Sequence, residues 1–341
     1  MKSVPVQEAV GMVLCHDLTL IVPGKFKKPL FKKGHVVKPE DIPSLLDIGK
    51  EHLYVWEMRE GVLHENEAAM RMATAAAGNG VTLTEPSEGK VSLLAAEDGL
   101  LKINTGALFA INEREQVMFA TLHSNQLVKK NKIVAGTRII PLVIEEKIIT
   151  GIEHICRECF PLVEIKPLRP MRVGLVTTGS EVYKGRIQDK FGPVVTAKLA
   201  EWGGEVTRRI LVSDSIDMIV VAIKELMEEG VDMILVTGGM SVDPDDVTPA
   251  GVVAAGGRIV SYGAPALPGA MFMMAYIDEL PVMGLPGCVM YHRSSIFDLI
   301  APRVLAGEVI TRRDIISLGY GGLCSNCREC RYPDCGFGKG I

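Results

Sequence analysis

Arg172-Val173-Gly174-Leu175-Val176-Thr177-Thr178-Gly179-Ser180-Glu181 is the stretch on which the reading of this 341-residue chain turns. A short apolar run, Val173 to Val176, stops in small polar residues and an acid. That is the pattern of a buried parallel strand delivering a loop to the carboxyl edge of a sheet. In open α/β sheets ligands bind outside those carboxyl ends, so residues 177–181 read as the first wall of an anion-binding site. A plain strand-to-helix turn accounts for this single segment equally well.

The alternation continues downstream. Residues 205–212, 233–236 and 282–285 read as further strands. Between them Pro193 sits in the first turn of a helix that runs to Trp202. A second helix over 215–229 puts Ile216, Ile219, Val220, Ile223, Leu226 and Met227 on one face, with Ser213 or Asp214 as its cap. A third follows Pro286-Gly287 and runs through Leu299. This order predicts an α/β fold over residues 166–310: a three-layer α/β/α, doubly wound and mostly parallel sheet, with its core complete by about Leu305.

Four loops of that domain share one chemistry: residues 177–181, 238–246, 267–269 and 284–287. Glycines let the backbone approach an oxygen-rich group, and N–H groups at helix starts point at it. Asp243, Asp245 and Asp246 add hard oxygens of the kind that hold Mg2+ against a phosphate. One glycine loop says little; four in one domain, two with carboxylates, point to a phosphorylated ligand.

At these residues the sequence resembles the molybdenum-cofactor biosynthesis domain family, which includes molybdopterin adenylyltransferases and molybdopterin molybdenumtransferases. Thr178-Gly179-Ser180-Glu181 looks like the family's T-G-[DS]-E segment, and Gly185-Arg186-Ile187-x-Asp189 resembles the stretch after it. Gly238-Gly239-Met240-Ser241-Val242 is similar to G-G-V-S-V of the molybdenumtransferases. Pro244-x-Asp246-Val247-Thr248-Pro249 is nearer the adenylyltransferase P-R-D-V-T-P. Pro268-Gly269 and Gly284-Leu285-Pro286-Gly287 resemble the P-G-K-P and G-L-P-G-N-P loops. Met240, Asp243 and Cys288 stand where the family commonly has Val, Gly and Asn, and the N-terminal S-A-M-D-G-Y segment of molybdenumtransferases is absent.

The resemblance implies binding of molybdopterin, or its adenylated form, with Mg2+-assisted cleavage of the adenylate as molybdate is captured. Carried over by position, Glu181 and Asp246 are the catalytic acids, Asp246 also serving Mg2+, and Gly238, Gly239, Ser241 and Gly287 cradle phosphate or pterin. Thr178, Gly179, Ser180, Asp189, Asp243, Asp245, Thr248, Pro268, Gly269, Gly284 and Pro286 complete the expected binding set. A homodimer, and molybdoenzyme clients or maturation proteins as partners, are implied in the same way. Two rival functions are a carrier or sensor of finished cofactor that performs no chemistry, and the adenylyltransferase step.

The rest of the chain is less informative. Residues 1–60 read as a small α+β module: strands over 10–20 and 31–37 flank a lysine-rich run, a helix runs from Pro39 through Leu46 to a stop at Gly49, and a strand closes at Trp56. Residues 61–165 read as a β-rich α+β domain and linker, with a helix over 66–77 and strands over 90–95, 100–103, 117–122 and 138–144. His123 reads as structural. A net charge of −4 speaks against a nucleic-acid partner. The apolar run 259–277 is broken by Gly263, Pro265, Pro268 and Gly269, which speaks against a membrane span, and residues 1–10 lack a secretory pattern. Clustered thiols without such a signal favour a reducing, cytoplasmic setting. In the 311–341 tail, Cys324, Cys327, Cys330 and Cys335 have spacing suited to Zn2+ or an iron–sulfur cluster. Cys156-x2-Cys159, with His154, is a weaker metal candidate.

Overall fold

Period-two alternation in the Arg172–Thr178 strand organises the larger half of the molecule. Val173 and Leu175 enter one apolar cluster and Val176 enters another, so the sheet is buried on both faces. Gly174 faces the second cluster, where a Cβ would lie 2.7 Å from Leu226 Cδ1. In this computed structural model residues 2–22, 24, 26–55 and 60–340 are described. The chain divides into two units: residues 1–94, 104–121 and 133–163, and residues 95–103, 122–132 and 164–341.

The second unit carries a six-stranded sheet in the order Glu205–Val212, Arg172–Thr178, Met233–Thr237, Leu280–Leu285, Met273–Ile277, Arg258–Tyr262. The first three pairings are parallel and the last two antiparallel. The apolar run 259–277 therefore supplies two strands and the turn between them, the glycines and prolines falling in the connection. Helices Phe191–Glu201 and Ile296–Leu305 bury Val195, Leu199, Ile296 and Ile300 against one face. Helices Ile216–Glu228 and Thr248–Ala254 bury Ile219, Ile223, Leu226 and Val252 against the other.

Two expectations need correction here. The stretch after Pro286 is a 3-10 turn, Gly287–Met290, and the helix starts only at Ile296. Ser295 and Asp298 form a reciprocal cap there: the Ser295 amide donates to Asp298 Oδ2 at 2.7 Å and the Phe297 amide to Ser295 Oγ at 3.3 Å. Nor is the core complete at Leu305. Ile310, Ile315, Leu318 and Phe337 belong to the same buried cluster. The tail is fastened at its start, the Leu267 amide donating to Gly322 O and the Cys324 amide to Leu267 O, at 2.7 and 2.8 Å. Segments Gly99–Ile103 and Gln126–Val128 pair antiparallel within this unit.

In the first unit, helix Glu65–Ala76 packs with helix Glu146–Glu158 and over a four-stranded sheet of Val81–Leu83, Lys90–Ala95, Ile133–Ile139 and Val117–Thr121. The strand expected over 138–144 is instead split between Ile133–Ile139 and Val143–Glu145. Near the N-terminus the strands are Leu18–Val22 and Phe26–Phe31, an antiparallel pair, so Lys27 and Lys28 of the lysine run lie within a strand. A two-stranded ribbon exposed on both faces accepts consecutive lysines, which is why hydrophobic pattern misplaced it. Val13 makes only an isolated bridge to Val36 rather than opening a strand, and Gly34, at φ +85°, turns the chain. The helix from the Pro39–Asp41 turn through Ile42–Asp47, with Gly49 at φ +76°, is as expected. Trp56 lies outside the described residues.

Candidate ligand site at the carboxyl edge of the sheet

Strand register brings the predicted loops together. Thr177, Thr237 and Leu285 are partners across three adjacent parallel strands, and Thr178 is the partner of Val212 on the fourth. The chain therefore leaves the sheet side by side at Gly179, Gly238, Pro286 and Ser213. Arg258–Tyr262 ends at the same edge, where the Tyr262 hydroxyl donates to Met240 O at 2.8 Å. Burial and the nearby Asp246 carboxylate push the Tyr262 phenol above its ordinary pKa. Sequence reasoning had no signal for Tyr262.

Most of the glycines at this edge serve packing inside the protein. Gly238 and Gly239 have φ of +88° and +57°. A Cβ on Gly238 would collide with the Thr178 carbonyl, and one on Gly239 would lie 2.7 Å from Thr248 Oγ1. Thr248 closes the turn, its hydroxyl donating to Gly238 O at 2.9 Å and its amide to Gly239 O at 3.0 Å. Gly284 has no room because the Met240 thioether fills the space above it. Gly269 packs against Ile296, whose amide donates to Pro268 O at 3.1 Å, so Pro268 and Gly269 are committed to the start of the last helix of the sheet. Gly287 is different: a Cβ there would meet nothing within 4 Å.

The acids divide in the same way. Asp246 Oδ2 accepts the amides of Ser241 and Asp243 at 2.9 and 3.1 Å, so this carboxylate shapes its own loop. Asp243 and Asp245 are exposed beside it. Glu181 is exposed in the first turn of a four-residue helix, and its carboxylate has no partner among the described residues. Asp189 accepts the amides of Phe191 and Gly192 at 2.7 and 3.1 Å and the guanidinium of Arg209, so this carboxylate, one residue before the N-cap position held by Lys190, satisfies the first amides of helix Phe191–Glu201. Ser180 is tied across the edge, its amide to Asp214 Oδ2 and its hydroxyl to Ser213 Oγ, both at 2.8 Å. Neither Ser213 nor Asp214 caps the following helix as expected; Ser215 holds the N-cap position without a side-chain bond.

Among the described residues no group of three or more His, Cys, Asp or Glu side chains is placed to hold a metal ion. Cys324 and Cys335 pack against the core, Cys327 is exposed, and Cys330 Sγ lies 3.6 Å from Ser294 Oγ. Cys156 is buried in helix Glu146–Glu158, where burial pushes its thiol up to about 11, while Cys159 is exposed and His154 pairs with Glu158 at 3.2 Å.

Residues 174–306 match the family model described as "Probable molybdopterin binding domain", and residues 3–57 match a domain of unknown function (DUF8806). A CinA-like protein of Mycobacterium sp. (strain MCS) is 39% identical over 87 residues, covering 26% of this chain and 21% of its own length. A CinA-like protein of Mycolicibacterium gilvum (strain PYR-GCK) is 39% identical over 77 residues, covering 23% of this chain and 18% of its own length. The chain thus spans only about a fifth of the length of the curated relatives it matches. Among solved structures, the molybdopterin biosynthesis enzyme MoaB of Thermus thermophilus is 22% identical, covering 40% of this chain and 98% of its own, with a TM-score of 0.35. CinA of Thermoplasma acidophilum is 19% identical, covering 35% and 89%, with a TM-score of 0.30. The segment 174–306, which contains the strand-end loops, is thus the part of the chain that is similar to a molybdopterin-binding domain.

Proposed function

We propose that this protein acts in molybdenum cofactor assembly, binding molybdopterin or its adenylate at the carboxyl edge of the six-stranded sheet. The observation that carries the reading is the register of Thr177, Thr237 and Leu285, which puts three of the four predicted loops shoulder to shoulder within the matched segment. On this reading Gly287 leaves room for the ligand's approach. Glu181, the acid without an internal partner, orients water or leaving group at the adenylate phosphate. Asp246 keeps the 241–243 turn in shape through Oδ2 and offers its other oxygen outward.

Mg2+ fits such a donor set when most of its ligands come from phosphate and water, since that ion usually takes only one or two protein carboxylates. Bound there, it would neutralise phosphate charge during adenylate cleavage, with molybdate as the second substrate. A metal on the tail thiols would need Cys324, Cys327, Cys330 and Cys335 to draw together, and the reading does not depend on one. A second copy of the chain and client molybdoenzymes are further expectations of the same reading, as is a cytoplasmic location.

The test is to incubate the full chain with adenylated molybdopterin, Mg2+ and molybdate and follow AMP. Mg2+-dependent release, lost in Glu181→Gln, supports the transferase reading. Tight pterin binding without AMP release favours the carrier, a rival supported by the commitment of Asp246 to its own loop. Absence of pterin binding overturns both.

A further inference from the structure

One cleft of the second unit has none of the strand-end glycines in its lining. It has a volume of about 1250 Å³, larger than the ~300–1,000 Å³ usual for small-molecule sites, and room remains for ordered water beside a ligand. More than half of its lining comes from residues outside 174–306, namely from the 97–99, 127–132, 167–168 and 332–334 stretches. The matched domain alone therefore does not contain this cleft.

Its charged groups are of two kinds. Three ion pairs line it and cancel internally: Lys129 with Asp98 at 2.8 Å, Lys198 with Asp298 at 2.6 Å, and Lys132 with Asp334. Besides Tyr291, four ionisable side chains remain without a hydrogen bond or ion pair among the described residues: Arg293 and His292 on one loop, Glu97 and Glu201 elsewhere. Beside Arg293, Tyr291 is 82% exposed, an aromatic face with nothing packed on it, while Trp202, Leu168 and Met290 form apolar wall. Ligand sites of this type combine apolar walls with a few uncommitted polar groups that fix orientation.

We propose that the cleft is a second ligand site, for a planar amino-heteroaromatic molecule of about mononucleotide size that carries an anionic group. Arg293 meets the anion through its planar fork of donors. The free carboxylates of Glu97 and Glu201 accept from the exocyclic amine, and Tyr291 and the apolar wall cover the ring. The inference stands on the lining of the cleft and does not require the strand-end reading.

AMP serves as the probe, with adenosine lacking the anion and IMP lacking the amine. Trp56→Phe leaves Trp202 as the sole tryptophan, since the chain has two, and its emission reports binding beside it. Calorimetry on the unmodified chain gives the same affinity independently. The expected result is saturable AMP binding that perturbs Trp202 emission, weakened about tenfold or more for adenosine and IMP. Arg293→Ala should weaken AMP to the level of adenosine, and Glu97→Gln with Glu201→Gln should abolish the preference for AMP over IMP. No saturable binding at millimolar AMP would overturn the proposal. So would binding that survives Arg293→Ala and falls with Gly287→Leu, because the nucleotide would then sit at the strand ends.

Discussion

The loops at 177–181 and 238–246 leave neighbouring strands, carry the same kinds of residue and end in an acid, yet they are built to opposite purposes. In the second, nearly every distinctive residue is bound inward. Gly238 and Gly239 fit against Thr178 and Thr248, Met240 fills the space over Gly284, and Asp246 accepts two amides of its own turn. In the first, the anchoring is done by Ser180 through Ser213 and Asp214, and Glu181 projects into solvent uncommitted. The lesson is that a motif's acid can serve as a staple or as a reagent, and hydrogen bonds tell which.

That contrast orders the expected effects. Gly238→Ala should be the most damaging change, since it combines a backbone collision with an αL penalty; a loss of about 2–4 kcal/mol is expected by denaturant unfolding of the second unit. An unchanged midpoint would break the claim that this glycine is a packing requirement. Asp246→Ala removes the acceptor of two amides at a partly exposed site, so a loss of about 1–2 kcal/mol is expected, largely restored in Asp246→Asn, whose amide oxygen can still accept. If Asp246→Asn is as unstable as Asp246→Ala, charge rather than hydrogen bonding holds the turn. Glu181→Gln should shift stability by no more than about 0.5 kcal/mol and abolish Mg2+-dependent AMP release. A larger stability loss would make Glu181 a second staple and erase the contrast.

How much of this was legible in sequence follows the physics of each signal. Short apolar strands alternating with amphipathic helices announce themselves, and Arg172–Thr178, Glu205–Val212, Ile216–Glu228 and Met233–Thr237 fall within a residue or two of expectation. The edge strand Arg258–Tyr262 and its neighbour Met273–Ile277 did not, because antiparallel strands joined through Gly and Pro read as one broken apolar run. The S-x-x-D pattern at Ser295 marks the true start of the last helix of the sheet. At the site, register made the loop cluster predictable, but glycine alone does not say whether its missing side chain admits a ligand or a neighbour. Only the surroundings separate Gly287 from Gly238, Gly269 and Gly284. Asp189, carried over by resemblance into the binding set, is occupied by the first amides of a helix and by its ion-pair partner Arg209. The tail showed its cysteines but concealed Phe337, one apolar residue among polar ones that completes a core.

The most direct test of the strand-end site uses the one glycine there that packs against nothing. Gly287→Leu places a side chain in open space on backbone that is not left-handed, so the fold should keep its stability within about 0.5 kcal/mol. Molybdopterin affinity, measured by equilibrium binding on the same preparation, should fall by at least about tenfold because the added side chain occupies the ligand's approach. A stable Gly287→Leu protein that binds molybdopterin as tightly as the unmodified chain would contradict the placement of the site at this edge.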